Sequence, residues 1–188
     1  MKNTQHNLIL NLVLSAMFLA LAIVLPFLTG QVQELGSMLS PMHIAIFLCG
    51  LICGWQYGLV VGLIAPLLRF VMFGMPPIYP TGLAMSIELA TYGFTSGIFY
   101  LLFQKLFKNH HLPAIILSLI ISMLIGRIMW GLTRYVIVLF DQQLKFTFQM
   151  FLKGAFITAW PGIVLHLILI PTVMMTLIRA KIIFKGDK

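Results

Sequence analysis

Acidic side chains are what this chain has least of. Four Asp and Glu residues stand among 188, charged residues make up 9% of the total, and 61% are hydrophobic. With so little charge and a mean hydropathy of +1.05, nearly every long segment is apolar and no soluble domain of useful size is left over. The chain reads as one integral membrane domain over 1–188. Scarcity of acid also argues against intramembrane proteolysis, which needs paired carboxylates, a Ser/His pair or a His-Glu-x-x-His helix. Glu88 is the one acid within an apolar run, and no serine stands in a recognisable motif beside His43 or His166. Cysteine is equally sparse. Cys49 and Cys53 lie four apart in one apolar stretch. At that spacing they stack on a helix and do not form a Cys-x-x-Cys redox or zinc motif, so both are expected to be reduced packing residues with no metal. A Walker A sequence is missing, so this chain is expected to hydrolyse no ATP of its own. The net charge of +8 would suit nucleic acid, but the basic residues cap hydrophobic runs and form no basic stripe with interleaved aromatics. No internal repeat is evident, which argues against an inverted-repeat carrier.

What is present is a series of long apolar runs. A helix needs about 20 apolar residues to cross a bilayer core. The runs predict an all-α bundle of six transmembrane helices at about 7–28, 41–55, 57–73, 81–103, 112–140 and 151–180. Ala20-Leu21-Ala22 imitates a signal-peptidase site, but the run 8–28 is too long for a signal core and continues past it, so a retained helix is expected. The second and third runs are short and meet at Gly54-Trp55-Gln56-Tyr57-Gly58, which reads as a tight turn. The sixth is interrupted by Trp160-Pro161-Gly162 and by Pro171; prolines are tolerated in membrane helices when neighbours satisfy the backbone. Lysine and arginine bias sets orientation. With both termini in the cytosol, that side holds Lys2, Lys105, Lys108, Arg179, Lys181, Lys185 and Lys188, against Arg134, Lys145 and Lys153 outside. The external loops are then 31–40, 74–80 and 141–147.

Two charges sit inside this apolar framework, Glu88 and Arg127. Each costs about 3 kcal/mol or more at a helix centre, so such residues are rare, usually paired, and mark a site by default. At ~1.5 Å per residue from the expected cytosolic ends, Glu88 and Arg127 lie about 22 Å up, His166 about 21 Å and Arg69 about 18 Å. Four polar groups from four helices share one layer. Each has a plainer alternative: Glu88 with Arg127 as a structural ion pair, Arg69 snorkelling outward from beside Pro66, His166 as a satisfied core histidine. Helical spacing adds Thr91, Tyr92, Thr95 and Ser96 to the face of Glu88, and Trp130, Gly131 and Arg134 to that of Arg127. Trp160 joins from the sixth helix. A few fixed polar groups among aromatic walls describe a small-molecule pocket, although Trp160 and Tyr79 would serve equally as interfacial anchors. The 74–80 loop carries three prolines that fix φ, so it is expected to form a stiff rim or lid. On the first helix, Ala16-x-x-x-Ala20 is a small-residue stripe that lets another helix approach closely.

Several motifs strengthen one resemblance. They are Ala16-x-x-x-Ala20, Ser40-Pro41-Met42-His43, Gly54-Trp55-Gln56-Tyr57-Gly58-Leu59, Ala65-Pro66-Leu67-Leu68-Arg69, Gly74-Met75-Pro76-Pro77, Glu88-Leu89-Ala90-Thr91-Tyr92-Gly93 and Gly126-Arg127-Ile128-Met129-Trp130-Gly131. Together with the size and six spans, they resemble the substrate-binding S component of an energy-coupling factor (ECF) vitamin transporter. The likeness covers almost the whole chain and is greatest to the pantothenate-type branch; S components for pyridoxine or hydroxymethylpyrimidine look similar. The resemblance implies capture of a vitamin from outside, docking on a shared membrane subunit driven by two cytosolic ATPases, and toppling that delivers the vitamin inward. It implies a multi-pass protein of the bacterial plasma membrane that is not an enzyme, with Ala16 and Ala20 facing the coupling subunit and no cofactor on this chain. Glu88, Tyr92, Arg127, Trp130, Arg69, Trp160, His166 and Tyr79 are the expected substrate-binding residues. The rival classes are an intramembrane enzyme and a stand-alone carrier.

Overall fold

The computed structural model describes residues 2–29, 36, 38–108, 110–141 and 143–180. Most of the 31–40 loop, together with Lys181, Lys185 and Lys188, lies outside the described residues. The helices are α1 (Lys2–Val24), α2 (Pro41–Ile52), α3 (Trp55–Phe73), α4 (Leu83–Leu106), α5 (His111–Phe140), α6 (Phe148–Leu152) and α7 (Trp160–Arg179). A 3-10 turn, Leu25–Thr29, extends α1, a wider π-type turn occupies Lys153–Ile157, and Ile78–Gly82 is an irregular turn with Tyr79 in extended backbone. No strand occurs among the described residues. Among the described residues, four segments are long and apolar enough to cross a membrane: Leu8–Leu28, Trp55–Phe73, His111–Phe140 and Phe148–Arg179. Pro41–Ile52 is apolar but shorter. At 24 residues α4 has the length, but Glu88 and the hydroxyls along it lower its apolarity.

Local chemistry sets the breaks. Pro26 has no N–H to give, and the regular α-helix ends just before it. Pro41 begins α2 in the first turn, where its missing N–H costs nothing. Between α2 and α3 the chain reverses at Gly54, with φ +102° and ψ 164°, a region open only to glycine at low cost. The turn is therefore Cys53-Gly54, and Trp55, Gln56 and Tyr57 form the first turn of α3. The expected boundary at 55–57 falls two residues late. The sixth segment also differs from a single helix over 151–180. It divides at Lys153–Ile157, where Gly154 packs on the edge of Trp130; a Cβ there would stand 3.0 Å from the ring. Trp160-Pro161-Gly162 opens α7, with proline at a position suited to a helix start, while Pro171 and Pro66 lie inside α7 and α3 without ending them.

Helix α4 is the axis of the bundle, packed along α3 and α5 and touching α2. Its approach to α3 depends on Gly93 and Gly58: a Cβ on either would collide with the other's backbone. On the other side Gly126 of α5 lies under the ring of Tyr92, with no room for a Cβ. These contacts set the rotation of α4 so that Glu88, one turn before Tyr92, turns toward α5. The interior is filled by Met42, Ile46, Phe47, Leu89, Tyr92, Ile115, Leu119, Ile170 and Met174, all sealed from solvent. Outward faces stay apolar, as with Leu8, Val13, Val71, Leu102, Leu132 and Ile168. Cys49 and Cys53 are buried and unbridged.

Candidate functional site

Glu88 is 3% exposed. Its Oε1 accepts a hydrogen bond of 2.8 Å from the Tyr92 hydroxyl, and one of 2.9 Å from Nη1 of Arg127 across the α4–α5 interface. His43 Nε2, from α2, stands 3.8 Å from the same oxygen, too far for a hydrogen bond. The carboxylate thus has one cationic partner and one phenol donor, which is how a buried charge is kept affordable in an apolar surrounding.

This cluster forms part of the wall of a cavity of about 350 Å³. The cavity lies at the end of the bundle bearing the 74–80 loop. Ser40, Pro41, Met42 and His43 contribute from the start of α2, Arg69 from α3, and Thr81, Met85 and Glu88 from the fourth segment. Arg127 and Trp130 close it from α5, Gly154 and Thr158 from the turn before α7, and Pro26 from the end of α1. Met75, Pro76 and Pro77 line its mouth, so the proline loop forms a rim.

Arg69 is 5% exposed and does not snorkel. Its Nη1 donates to the Ile23 carbonyl at 2.6 Å. Its guanidinium lies 5.2 Å from the Phe27 ring centre and 5.6 Å from that of Phe73. Among the described residues no carboxylate pairs with it. Among the described residues that line the cavity, Glu88 is balanced by Arg127 and the charge of Arg69 is in excess.

The remaining expected residues divide. Trp130 lines the cavity and is braced by Phe146 at 5.7 Å and Phe151 at 6.2 Å. Tyr92 is buried behind Glu88 and reaches the site through that carboxylate. His166 also lies one layer behind, stacked on His43 at 5.9 Å with the rings 12° apart. Trp160 is not brought to the cavity: it heads α7 pointing outward, 63% exposed. Tyr79 is not brought there either. It is half exposed, and its hydroxyl donates to Asp141 Oδ2 at 3.1 Å, tying the rim to the end of α5. The hydroxyls of Thr91, Thr95 and Ser96, expected beside Glu88, turn to carbonyls of their own helix at Ile87, Thr91 and Gly93. That is the usual fate of a hydroxyl on an apolar helix. Arg134 stacks on Phe146 at 5.6 Å, away from the cavity. Ala16 and Ala20 are exposed on α1, whose buried face is Ser15, Phe18, Ala22 and Ile23.

Sequence reasoning omitted His43, which lines the cavity and whose two nitrogens have no hydrogen-bond partner among the described residues. The signal was available: it is a titratable residue in an otherwise apolar run, the same criterion that marks Glu88. Thr81, Met85 and Thr158 carried no comparable signal. A second groove, of about 420 Å³, runs along the outer side of α5 between Ile128, Leu132, Tyr135, Phe146 and Phe151. It has almost no polar lining and so nothing to orient a polar solute.

The 350 Å³ cavity therefore combines a compact volume, aromatic and proline walls, and three charged groups set at fixed points, an arrangement suited to holding a small polar molecule. A search among curated proteins and one among solved structures each found no match. A family model described as the ECF transporter, substrate-specific component, matches residues 10–184, a span running from α1 through α7 and including all of the cavity lining. With nearly all of its helical residues and the whole lining of this charged cavity inside that match, the chain belongs to the family of ECF transporter substrate-specific components, which are membrane proteins.

Proposed function

We propose that this chain captures a small water-soluble vitamin, best read as pantothenate, from outside the cell and delivers it inward by docking on a shared coupling subunit driven by two cytosolic ATPases. The observation that carries the reading is the charged cavity at the rim end of the bundle, lined among the described residues by two arginines against one carboxylate. Ligand pockets run from roughly 300 to 1,000 Å³. A volume of about 350 Å³ suits a compact vitamin and is too small for a macrocyclic one. An excess of positive charge suits an anion bearing hydroxyls and an amide.

In this reading six segments, the short Pro41–Ile52 among them, pass through the bacterial plasma membrane, both termini are cytosolic, and the cavity opens outward beneath the proline rim. Arg69, Glu88, Arg127 and Trp130 meet the vitamin, with Tyr92 and His166 supporting from behind. The chain binds no cofactor; ATP is consumed by its partners. Ala16 and Ala20, exposed on α1, supply the small-residue face along which a helix of the coupling subunit approaches. Calorimetry of the purified chain, without ATP, against pantothenate, pyridoxine, hydroxymethylpyrimidine and the other B vitamins tests the proposal. Binding of at least one tighter than micromolar is expected. Binding of none would refute vitamin capture, and preference for pyridoxine or hydroxymethylpyrimidine would reassign the vitamin while leaving capture intact.

A further inference from the structure

We infer that Arg69, not Arg127, receives the acidic group of the captured molecule. The molecule is then a small monoanion, with its acid at Arg69 and a neutral hydrogen-bonding end at Glu88. This rests on the capture reading above and adds the substrate's charge class and its direction in the cavity.

Both guanidiniums line the cavity, but only one is committed. Arg127 faces Glu88 at 2.9 Å. A ligand acid reaching Arg127 would share that cation with Glu88 and bring two carboxylates together in a buried space, an arrangement that disfavours the charge on both. Arg69 has no such partner among the described residues. Its hydrogen bond to Ile23 goes to a neutral carbonyl, and its other close neighbours are the rings of Phe27 and Phe73. A buried cation without a counter-charge is costly, and an arriving anion relieves that cost. The geometry is also prepared. The Ile23 bond occupies one nitrogen and the two rings restrain the guanidinium. Of its five N–H donors, enough remain for a two-point bond to a carboxylate.

Glu88 determines the other end. Both of its hydrogen bonds, from Tyr92 and from Arg127, fall on Oε1. Oε2 receives none among the described residues, and the residue lines the cavity. That oxygen accepts a hydroxyl or amide hydrogen and repels an acid, so the ligand cannot reverse. Among the described lining residues, one carboxylate against two guanidiniums leaves one positive charge, which a monoanion neutralises.

The test pairs each acid with a neutral counterpart on the intact purified chain. The probes are pantothenate with pantothenol, which carries a primary alcohol in place of the carboxylate, and nicotinate with nicotinamide; pyridoxine and hydroxymethylpyrimidine serve as neutral vitamins. The expected result is at least tenfold tighter binding of an acid than of its neutral counterpart. Arg69→Gln should abolish that preference, bringing the two members within about twofold, and Arg69→Lys should restore part of it. Equal affinity for acid and neutral counterpart, exclusive binding of neutral vitamins, or an intact acid preference in Arg69→Gln would each overturn the inference while leaving capture standing. Binding of no probe would overturn both. If Arg69→Gln does not fold, the acid and neutral pairs on the unmodified chain and on Arg69→Lys decide the question.

Discussion

Replacing Glu88 by glutamine keeps the size and shape of the side chain but removes the charge that Arg127 faces at 2.9 Å. The two side chains are 4% and 12% exposed, so water offers little compensation to the guanidinium left behind. Breaking a buried pair from one side typically costs about 3–5 kcal/mol, because an uncompensated charge remains. The glutamine carbonyl can still accept from Tyr92, so the loss is chiefly the charge–charge part. For a domain of this size each kcal/mol shifts the melting temperature by about 2–4 °C, which puts Glu88→Gln roughly 6–20 °C below the unmodified protein. Arg127→Met should cost less, because an orphaned carboxyl can take up a proton and become neutral. The double variant, with neither charge, should melt above Glu88→Gln. A double-mutant cycle read by thermal unfolding and by ligand calorimetry is the assay. Single effects that add to within about 0.5 kcal/mol would mean the two residues are not coupled and would refute the argument. Strong coupling in stability with unchanged affinity would make the pair purely structural. If the site reading is right, each single variant also weakens binding at least tenfold, about 1.4 kcal/mol.

Two further outcomes are expected. Ala16→Trp with Ala20→Trp should abolish vitamin uptake and co-purification with the coupling subunit while leaving affinity unchanged, since both residues are exposed on α1 and outside the cavity lining; normal uptake would place the docking face elsewhere. Trp130→Ala should weaken binding at least tenfold by removing one cavity wall, whereas Trp160→Ala, outward-facing and outside the lining, should bind within about twofold of the unmodified chain; a large loss from Trp160→Ala would show that the cavity is wrongly drawn.

Much of the architecture was legible because burial in an apolar solvent is a local demand. Scarce charge and long apolar runs point to a membrane protein residue by residue, and among the described residues four segments meet the length and hydropathy of a span. The same demand singles out Glu88 and Arg127, since an intramembrane charge is costly wherever it lies; His43 met that criterion and was passed over. Breaks were less legible. Gly54 was visible as part of a turn, but that it alone takes φ +102° depends on how α2 returns along α3. The division of the last segment at Lys153–Ile157 follows from Gly154 meeting Trp130, a residue more than twenty positions earlier. Apart from the Glu88–Arg127 pair, side-chain partners were decided only in three dimensions. Spacing groups Glu88 with Thr91, Thr95 and Ser96, yet those hydroxyls are satisfied within their own helix. Equal depth matches Glu88 with Arg127, and that ion pair forms, but depth does not say that Arg69 is buried against the Ile23 carbonyl instead of snorkelling outward. The rotation of α4, set where Gly93 meets Gly58 and where Tyr92 lies over Gly126, turns Glu88 to Arg127 and leaves Arg69 with the Ile23 carbonyl and two phenylalanine rings. A sequence records the cost of each buried charge one residue at a time, but its partner depends on the register between helices, which close backbone packing alone determines.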